Sequence, residues 1–138
     1  MIGTAEQDAF IRSQKWAVVT SLRKDGSPSN SVIFFALDGD DILFSTTSDR
    51  VKGRTLKRDR RCAVTVLDEG APYRFATVEG PAAIESEDIV AGHIIVNRAM
   101  RAQPDWAPPE GYDALLRDQK RVIVRVKAQR VSGVVNRG

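Results

Sequence analysis

The sequence predicts a mainly β fold with a few helices, in which short antiparallel strands form a barrel. Several short segments alternate apolar and polar residues, and tight turns join most of them. Two of these turns, Asp25-Gly26 and Asp38-Gly39, are residue pairs that favour β-hairpins. The chain has few of the long helical crossovers that a parallel sheet requires. We therefore expect a single domain over residues 1–138, long enough to bury a core.

Six strands and four helices follow from these patterns. The strands are predicted at 16–23, 28–37, 42–47, 60 or 61–67, 73–84 and 121–127, and residues 131–135 extend the last strand or add another. The helices are predicted at 5–13 after a Thr4/Gln7 capping box, from Ser48 or Asp49 to Asp59, from Ser86 to about Met100, and at 111–119.

Composition and charge narrow the functional classes. The net charge of +3 is small, and the aromatic residues are not interleaved with the basic ones as nucleic-acid stacking platforms are. Nucleic acid is therefore not expected as a partner. No segment has the roughly 20 apolar residues that span a bilayer, and the N-terminus lacks a secretory signal pattern. We expect a cytoplasmic protein without a membrane partner.

The segment from Ser45 to Asp59 carries the clearest chemical signal. It joins the end of the third strand to a short basic helix, and such a junction offers free backbone N–H groups to an anion. Arg50 and Lys52 add a guanidinium and an ammonium, which suit a phosphate. Thr46, Thr47 and Ser48 contribute hydroxyls. The segment therefore fits a phosphate site.

The basic run also fits a plainer interpretation. Arg54, Lys57, Arg58, Arg60 and Arg61 continue it, and a short surface helix is often basic for solubility alone. Spacing alone leaves both interpretations open.

No residue stands out as a catalytic nucleophile, base or metal ligand. With one Cys and one His, the chain has neither an internal disulfide nor the usual zinc ligands. Cys62 lies in an alternating apolar run, where a buried thiol is the common case. His93 lies within a predicted helix and is interpreted as structural. We therefore assign no catalytic residue and no metal site.

The order of these segments resembles the pyridoxamine 5′-phosphate oxidase-like split β-barrel superfamily. The resemblance rests on the Lys24–Pro28 and Asp38-Gly39 turns, Thr46-Thr47 at a strand end, the basic run from Arg50 to Asp59, and Val78–Ala82. It implies a six-stranded antiparallel split β-barrel of the FMN-binding-protein type. The short length and the Arg-x-Lys-x-Arg-x-Leu segment are most similar to the actinobacterial flavin/deazaflavin oxidoreductases that bind coenzyme F420.

The resemblance implies roles for individual residues. Arg50 and Lys52 stand where such proteins hold the cofactor phosphate, with Thr47 close by. Ser31 and Val32 match second-strand positions that run beside the ring of the cofactor.

Three further positions are implied in the same way. Tyr73 and Phe75 match aromatic positions that reach the ring or the substrate from the partner subunit of a homodimer. Thr55 stands where many members have Asn, at a polar contact to the cofactor. Each of these residues also has an ordinary interpretation, since strand hydroxyls and large aromatics occur equally in half-exposed faces, cores and interfaces.

The implied function is hydride transfer from reduced F420 to a small electron-poor acceptor. FMN is the alternative cofactor, because it shares the phosphate and the ring shape. F420 is preferred because Arg54, Lys57 or Arg98 suits its acidic oligoglutamate tail, and because the relatives with the same motif are small single-domain chains. A non-catalytic flavin-, deazaflavin- or haem-binding protein is the other hypothesis. Vitamin B6 oxidation is not expected, since no long C-terminal segment follows Val135.

Overall fold

A computed structural model describes residues 1–71 and 73–136 of the chain. In chain order the elements are α1 (Ala5–Arg12), β1 (Trp16–Leu22), β2 (Pro28–Phe34), β3 (Ala36–Asp38), β4 (Asp41–Thr47), α2 (Val51–Arg58), β5 (Arg61–Leu67), β6 (Phe75–Glu85), α3 (Ile89–Arg101), α4 (Tyr112–Asp118), β7 (Arg121–Lys127) and β8 (Arg130–Val134).

The strands form one antiparallel sheet that curls into a split barrel. Its order is β2-β1-β5-β6-β7-β4-β3, and β8 pairs with β6. The two ends of this path, β2 and β3, are consecutive in the chain and are separated only by Phe35. The predicted mainly β, antiparallel barrel is therefore confirmed.

The described residues form eight strands, whereas six were predicted. The predicted strand at 28–37 breaks at Phe35, whose N–H donates to the carbonyl of Lys15 at 3.0 Å. At that residue the chain changes its partner strand from β1 to β4. The segment Arg130–Val134 adds a strand because it pairs with the first half of β6, from Phe75 to Glu79.

Some predicted boundaries were also wrong. Helix α2 begins at Val51 with Arg50 as its N-cap, two residues after Asp49 and three after Ser48, the two predicted starts. Helix α3 begins at Ile89, because the Asp88 side chain caps it by accepting from the Ala91 N–H. Strand β6 begins at Phe75, which leaves Tyr73 in a turn. The capping box formed by Thr4 and Gln7 is confirmed.

The core fills the barrel, and α2 closes one of its ends. Leu56 of α2 is fully buried in the same cluster as the inward-facing valines of β5 and β6. Next to it, the buried Thr55 hydroxyl lies 2.8 Å from the Ser21 hydroxyl of β1. Helix α3 packs outside the barrel, where Val96 joins a second cluster with Leu43 and Ile123. The contacts of Leu56 and Thr55 hold α2 against the barrel, with its N-terminus beside the end of β4.

Arg125 of β7 holds three carboxylates together on the outer surface. Its guanidinium contacts Asp38 and Asp41 at 2.9 Å and Glu85 at 3.2 Å. Burial raises the pKa of Asp41, but hydrogen bonds from Arg125 and Lys127 outweigh it and leave that pKa below its ordinary value. This network therefore links β3, β4, β6 and β7 through one partly buried cation.

Replacing Arg125 by Met is expected to lower the free energy of unfolding at pH 7 by about 2–3 kcal/mol, because three carboxylates lose their shared cation. A carboxylate with a lowered pKa stabilises the fold above its unfolded pKa, and this contribution is lost as pH falls through the folded pKa. Urea denaturation at pH 7 and at about pH 3 measures the effect. The difference between wild type and variant should shrink at the lower pH; a constant difference would contradict this account.

Candidate cofactor site

The N-terminus of α2 lies at the end of β4 with its backbone donors available. Arg50 is the N-cap in an extended conformation, and no side chain caps the helix. The first turn contains no acidic residue that would offset the positive end of the helix dipole. The unbonded N–H groups and this dipole therefore favour an anion at the junction between β4 and α2.

A glycine allows this junction to be compact. A Cβ atom added to Gly53 would lie 2.3 Å from the carbonyl oxygen of Thr47, much closer than van der Waals contact. The first turn of α2 therefore packs directly on the last residue of β4. This contact holds the helix donors, the Thr47 side chain and the neighbouring cations within one small region.

Three cations meet here without a neutralising partner. Within residues 1–71 and 73–136, the side chains of Arg50, Lys52 and Arg121 form no hydrogen bond or ion pair with another residue. Burial, together with the charges of Arg50 and Arg121, lowers the pKa of Lys52. Asp49 is close enough to Arg50 for the charge to lower the pKa of the carboxyl, yet the two form no ion pair. We call Arg50, Lys52 and Arg121 the cation cluster.

Arg121 is the member of this cluster that sequence reasoning missed. It is the first residue of β7 and pairs directly with Thr47 across the sheet. Only the long-range register between β4 and β7 brings it to the cluster. The one local signal is a basic residue at the start of a strand, which does not reveal its partner.

Two buried hydroxyls accompany the cations. Thr46 Oγ1 and Thr47 Oγ1 have no hydrogen-bond partner of good geometry among the described residues. The Thr47 hydroxyl is nevertheless close enough to Asp49 to contribute most to the lowered pKa of that carboxyl. A buried polar atom without a partner costs free energy. Because successive strand residues point to opposite faces, Thr47, which pairs with Arg121, is the one of the two whose hydroxyl lies on the face of the cation cluster and can donate to a group bound there.

The other predicted site residues lie on different elements. Ser31 of β2 pairs with the buried Val19, which places it on the inner face of the barrel. Val32 is 70% exposed and lies on the outer face. Thr55 is buried, and its hydroxyl contacts Ser21 and donates to the Lys52 carbonyl. The structure thus groups Thr47, Arg50 and Lys52 and places Ser31 and Val32 on β2, a strand that does not pair with β4.

Tyr73 lies in the turn before β6 and Phe75 is the first residue of β6, so both are distant from the cation cluster in sequence. Tyr73 is 51% exposed in the turn before β6. Phe75 pairs with Leu67 on one side and Val134 on the other. Phe75 shares the outer sheet face with Val32, because a cross-strand row connects Val32 through β1 and β5 to Thr77, two residues from Phe75.

Cys62 and His93 are both buried. Burial raises the pKa of the Cys62 thiol to about 12, so it remains protonated at neutral pH. His93 is buried, and its ring lies between the Ile89 carbonyl at 2.5 Å and the Ser45 hydroxyl at 2.8 Å. Burial also lowers the pKa of His93 and favours its neutral form. In the part of the chain that the structure describes, no group of His, Cys, Asp and Glu could hold a metal ion.

The sequence matches the family model described as pyridoxamine 5′-phosphate oxidase over residues 4–135. No curated protein matches the sequence. Among residues 1–71 and 73–136, no helix is both long and apolar enough to cross a membrane.

Several solved structures share this fold, and their descriptions differ. An F420 reductase is 26% identical, with a TM-score of 0.69 over 91% of this chain and 94% of that chain. A conserved hypothetical protein from Mycobacterium tuberculosis is 23% identical, with a TM-score of 0.75 over 95% and 83%. A heme binding protein from Mycobacterium smegmatis is 19% identical, with a TM-score of 0.66 over 99% and 57%. The last two likenesses concern the fold alone.

Proposed function

The chain belongs to the pyridoxamine 5′-phosphate oxidase family, and from this membership we propose that it is an oxidoreductase that binds the deazaflavin coenzyme F420. Its reaction is the reduction of a small electron-poor organic acceptor. When bound in reduced form, such a cofactor supplies a hydride. The protein then has to bind the cofactor, orient it and keep water away from it.

The observation that supports this proposal is the cation cluster. Three cations that form no ion pair within residues 1–71 and 73–136, next to free helix N–H groups, fit the phosphate of a flavin-type cofactor. The Thr47 hydroxyl fits the same group, because it lies on the face of Arg121 and can donate to a phosphate oxygen. In this proposal Arg50 and Lys52 hold the phosphate, and the charge of Arg121 adds to the positive electrostatic potential there.

The choice of F420 over FMN has two supports. The F420 reductase is 26% identical to this chain over most of both chains. Arg54 and Lys57 are exposed on α2, in position to meet an acidic tail that extends from the phosphate. Arg98 is less available for that role, because its Nε donates to the Trp106 carbonyl at 2.9 Å.

We further propose that the protein acts as a homodimer. The outer face of the sheet exposes large apolar side chains, including Trp16 at 44%, Val32 at 70% and Val134 at 50%. Such a face favours association with a second copy. In this proposal the segment of β2 that contains Ser31 and Val32 runs beside the ring of the cofactor, and Tyr73 and Phe75 approach it from the partner subunit.

The proposal assigns no acid, base or nucleophile to the chain. Replacing Cys62 or His93 by Ala is therefore expected to leave cofactor affinity and turnover per folded protein within about twofold of wild type. Cofactor titration and the rate of oxidation of the reduced cofactor, each corrected for the folded fraction, measure this. Lost turnover at unchanged cofactor affinity in either variant would show that the residue takes part in the chemistry.

Two titrations test the proposed function. The intrinsic tryptophan fluorescence of the apo-protein is followed as oxidised F420 or FMN is added. Tighter binding of F420 supports the proposal, and tighter binding of FMN makes the protein a flavoprotein instead. Reduced cofactor is then mixed with quinones, nitroaromatics or unsaturated lactones. If none of these acceptors speeds the oxidation of bound cofactor, the protein is a non-catalytic binding protein.

A further inference from the structure

A cavity apart from Arg50, Lys52 and Arg121 lies between α2 and the end of the barrel where β6 meets β7. Its volume is about 360 Å³, which is within the range of small-molecule sites. The floor is apolar and consists of Leu56, Ala82, Ala83, Ile84 and Val122. Its walls carry Ser48 and Ser86. The cofactor proposal assigns no ligand to this cavity.

The charge of this cavity is one-sided. Lys57 and Arg60 line it, and no carboxylate is among its lining residues. Arg60 Nε donates to the Ala82 carbonyl at 2.9 Å, which holds the guanidinium against the cavity wall. The terminal N–H groups of Arg60 and the ammonium of Lys57 have no partner among residues 1–71 and 73–136. Two cations beside an apolar floor are complementary to a molecule with one anionic end and an apolar body.

We propose that this cavity binds a small apolar monocarboxylate. The carboxylate contacts Lys57 and Arg60, and the hydrocarbon part lies on the floor formed by α2, β6 and β7. The guanidinium favours a carboxylate because its parallel N–H groups match the two carboxylate oxygens. The cavity volume lies at the lower end of the range for small-molecule sites, so the apolar part of the ligand is limited to a short chain or a single ring. The lining contains none of Arg50, Lys52 and Arg121, and Lys57 is the one of its two cations that the cofactor proposal also uses, as a contact to the acidic tail.

Binding of octanoate to the apo-protein tests this proposal. Calorimetric titration should show saturable binding, and the affinity should rise about fourfold for each added methylene from butanoate to octanoate. Octan-1-ol, which has the same apolar body and no charge, should bind at least about tenfold more weakly. Nuclear magnetic resonance shifts of backbone amides should locate the ligand at Leu56, Val122 and residues 82–86.

Three variants complete the test. Lys57→Gln should weaken octanoate binding about five- to tenfold. Ile84→Trp should abolish it, because Ile84 lines the cavity on the face of β6 that it shares with Val124, and the larger side chain fills space without changing the charge. Lys24→Gln removes an exposed lysine from the β1–β2 turn and should leave the affinity unchanged. Non-saturable binding, equal binding of octan-1-ol, or amide shifts elsewhere would each overturn the proposal. Because Lys57 is exposed, its variant remains informative even if Ile84→Trp fails to fold.

Discussion

Replacing Arg50 and Lys52 together by Ala should weaken cofactor binding at least about 100-fold. Each hydrogen bond to a charged group contributes about 1.5–3 kcal/mol, and the double variant removes two cations from one phosphate. Arg121 and the helix N–H groups remain, so weak binding should persist. Fluorescence titration with F420 measures the change, and thermal unfolding confirms that the variant is folded.

Lys24→Gln again provides the control for net charge. Lys24 is exposed in the turn between β1 and β2, and its side chain forms no hydrogen bond or ion pair within the described residues. Its replacement should leave cofactor affinity within about twofold of wild type, since a surface charge outside the site contributes little. Equal losses in the control and the double variant would mean that only the overall charge attracts the cofactor. Unchanged affinity in the double variant would remove the phosphate-site assignment.

Replacing Gly80 by Ala should lower the free energy of unfolding by about 3 kcal/mol or more. A Cβ atom at this position would lie 1.7 Å from the carbonyl oxygen of Lys127 and 2.8 Å from its carbonyl carbon. Both are backbone atoms, so no side-chain movement relieves the clash. Gly80 pairs with Cys62 just before β6 passes from β5 to β7. The added methyl therefore forces β6 away from the end of β7, at the point where β6 changes its partner strand.

Gly70→Ala is the matched control for Gly80→Ala. Among residues 1–71 and 73–136, a Cβ atom at Gly70 would meet only the Asp68 carboxylate at 3.5 Å, an ordinary contact. Its free energy of unfolding should stay within about 0.5 kcal/mol of wild type. Urea denaturation of both variants measures the difference. Equal stabilities would mean that β6 and β7 lie further apart at Gly80 than described here.

Much of the fold could be predicted from local patterns. Alternation places β1, β4, β5 and β7 within one or two residues of their positions, because half-buried strands impose a period of two. The break at Phe35 could not be predicted in this way. The residues around it, Val32–Ala36, are continuously apolar. The break depends on a long-range hydrogen bond to Lys15 and on the change of partner strand.

The residues of the candidate site likewise include some that local sequence predicts and some that only long-range contacts bring in. Thr47, Arg50 and Lys52 lie on one continuous segment, so the sequence alone places them together. Arg121 joins them only through the register of β4 with β7. The burial of Thr55 against Ser21 also depends on how α2 packs on β1, which the periodicity of either segment does not specify. Contacts between segments distant in the chain therefore account for what the sequence could not supply.

The most direct test of the central claim compares two ligands on two proteins. Wild type and the Arg50→Ala/Lys52→Ala variant are each titrated with F420 and with the same deazaflavin lacking the phosphate and the tail. If the cation cluster holds the phosphate, wild type should lose at least about 100-fold in affinity when the phosphate is removed, whereas the variant should lose much less. Equal losses in the two proteins, or no loss in wild type, would contradict the account.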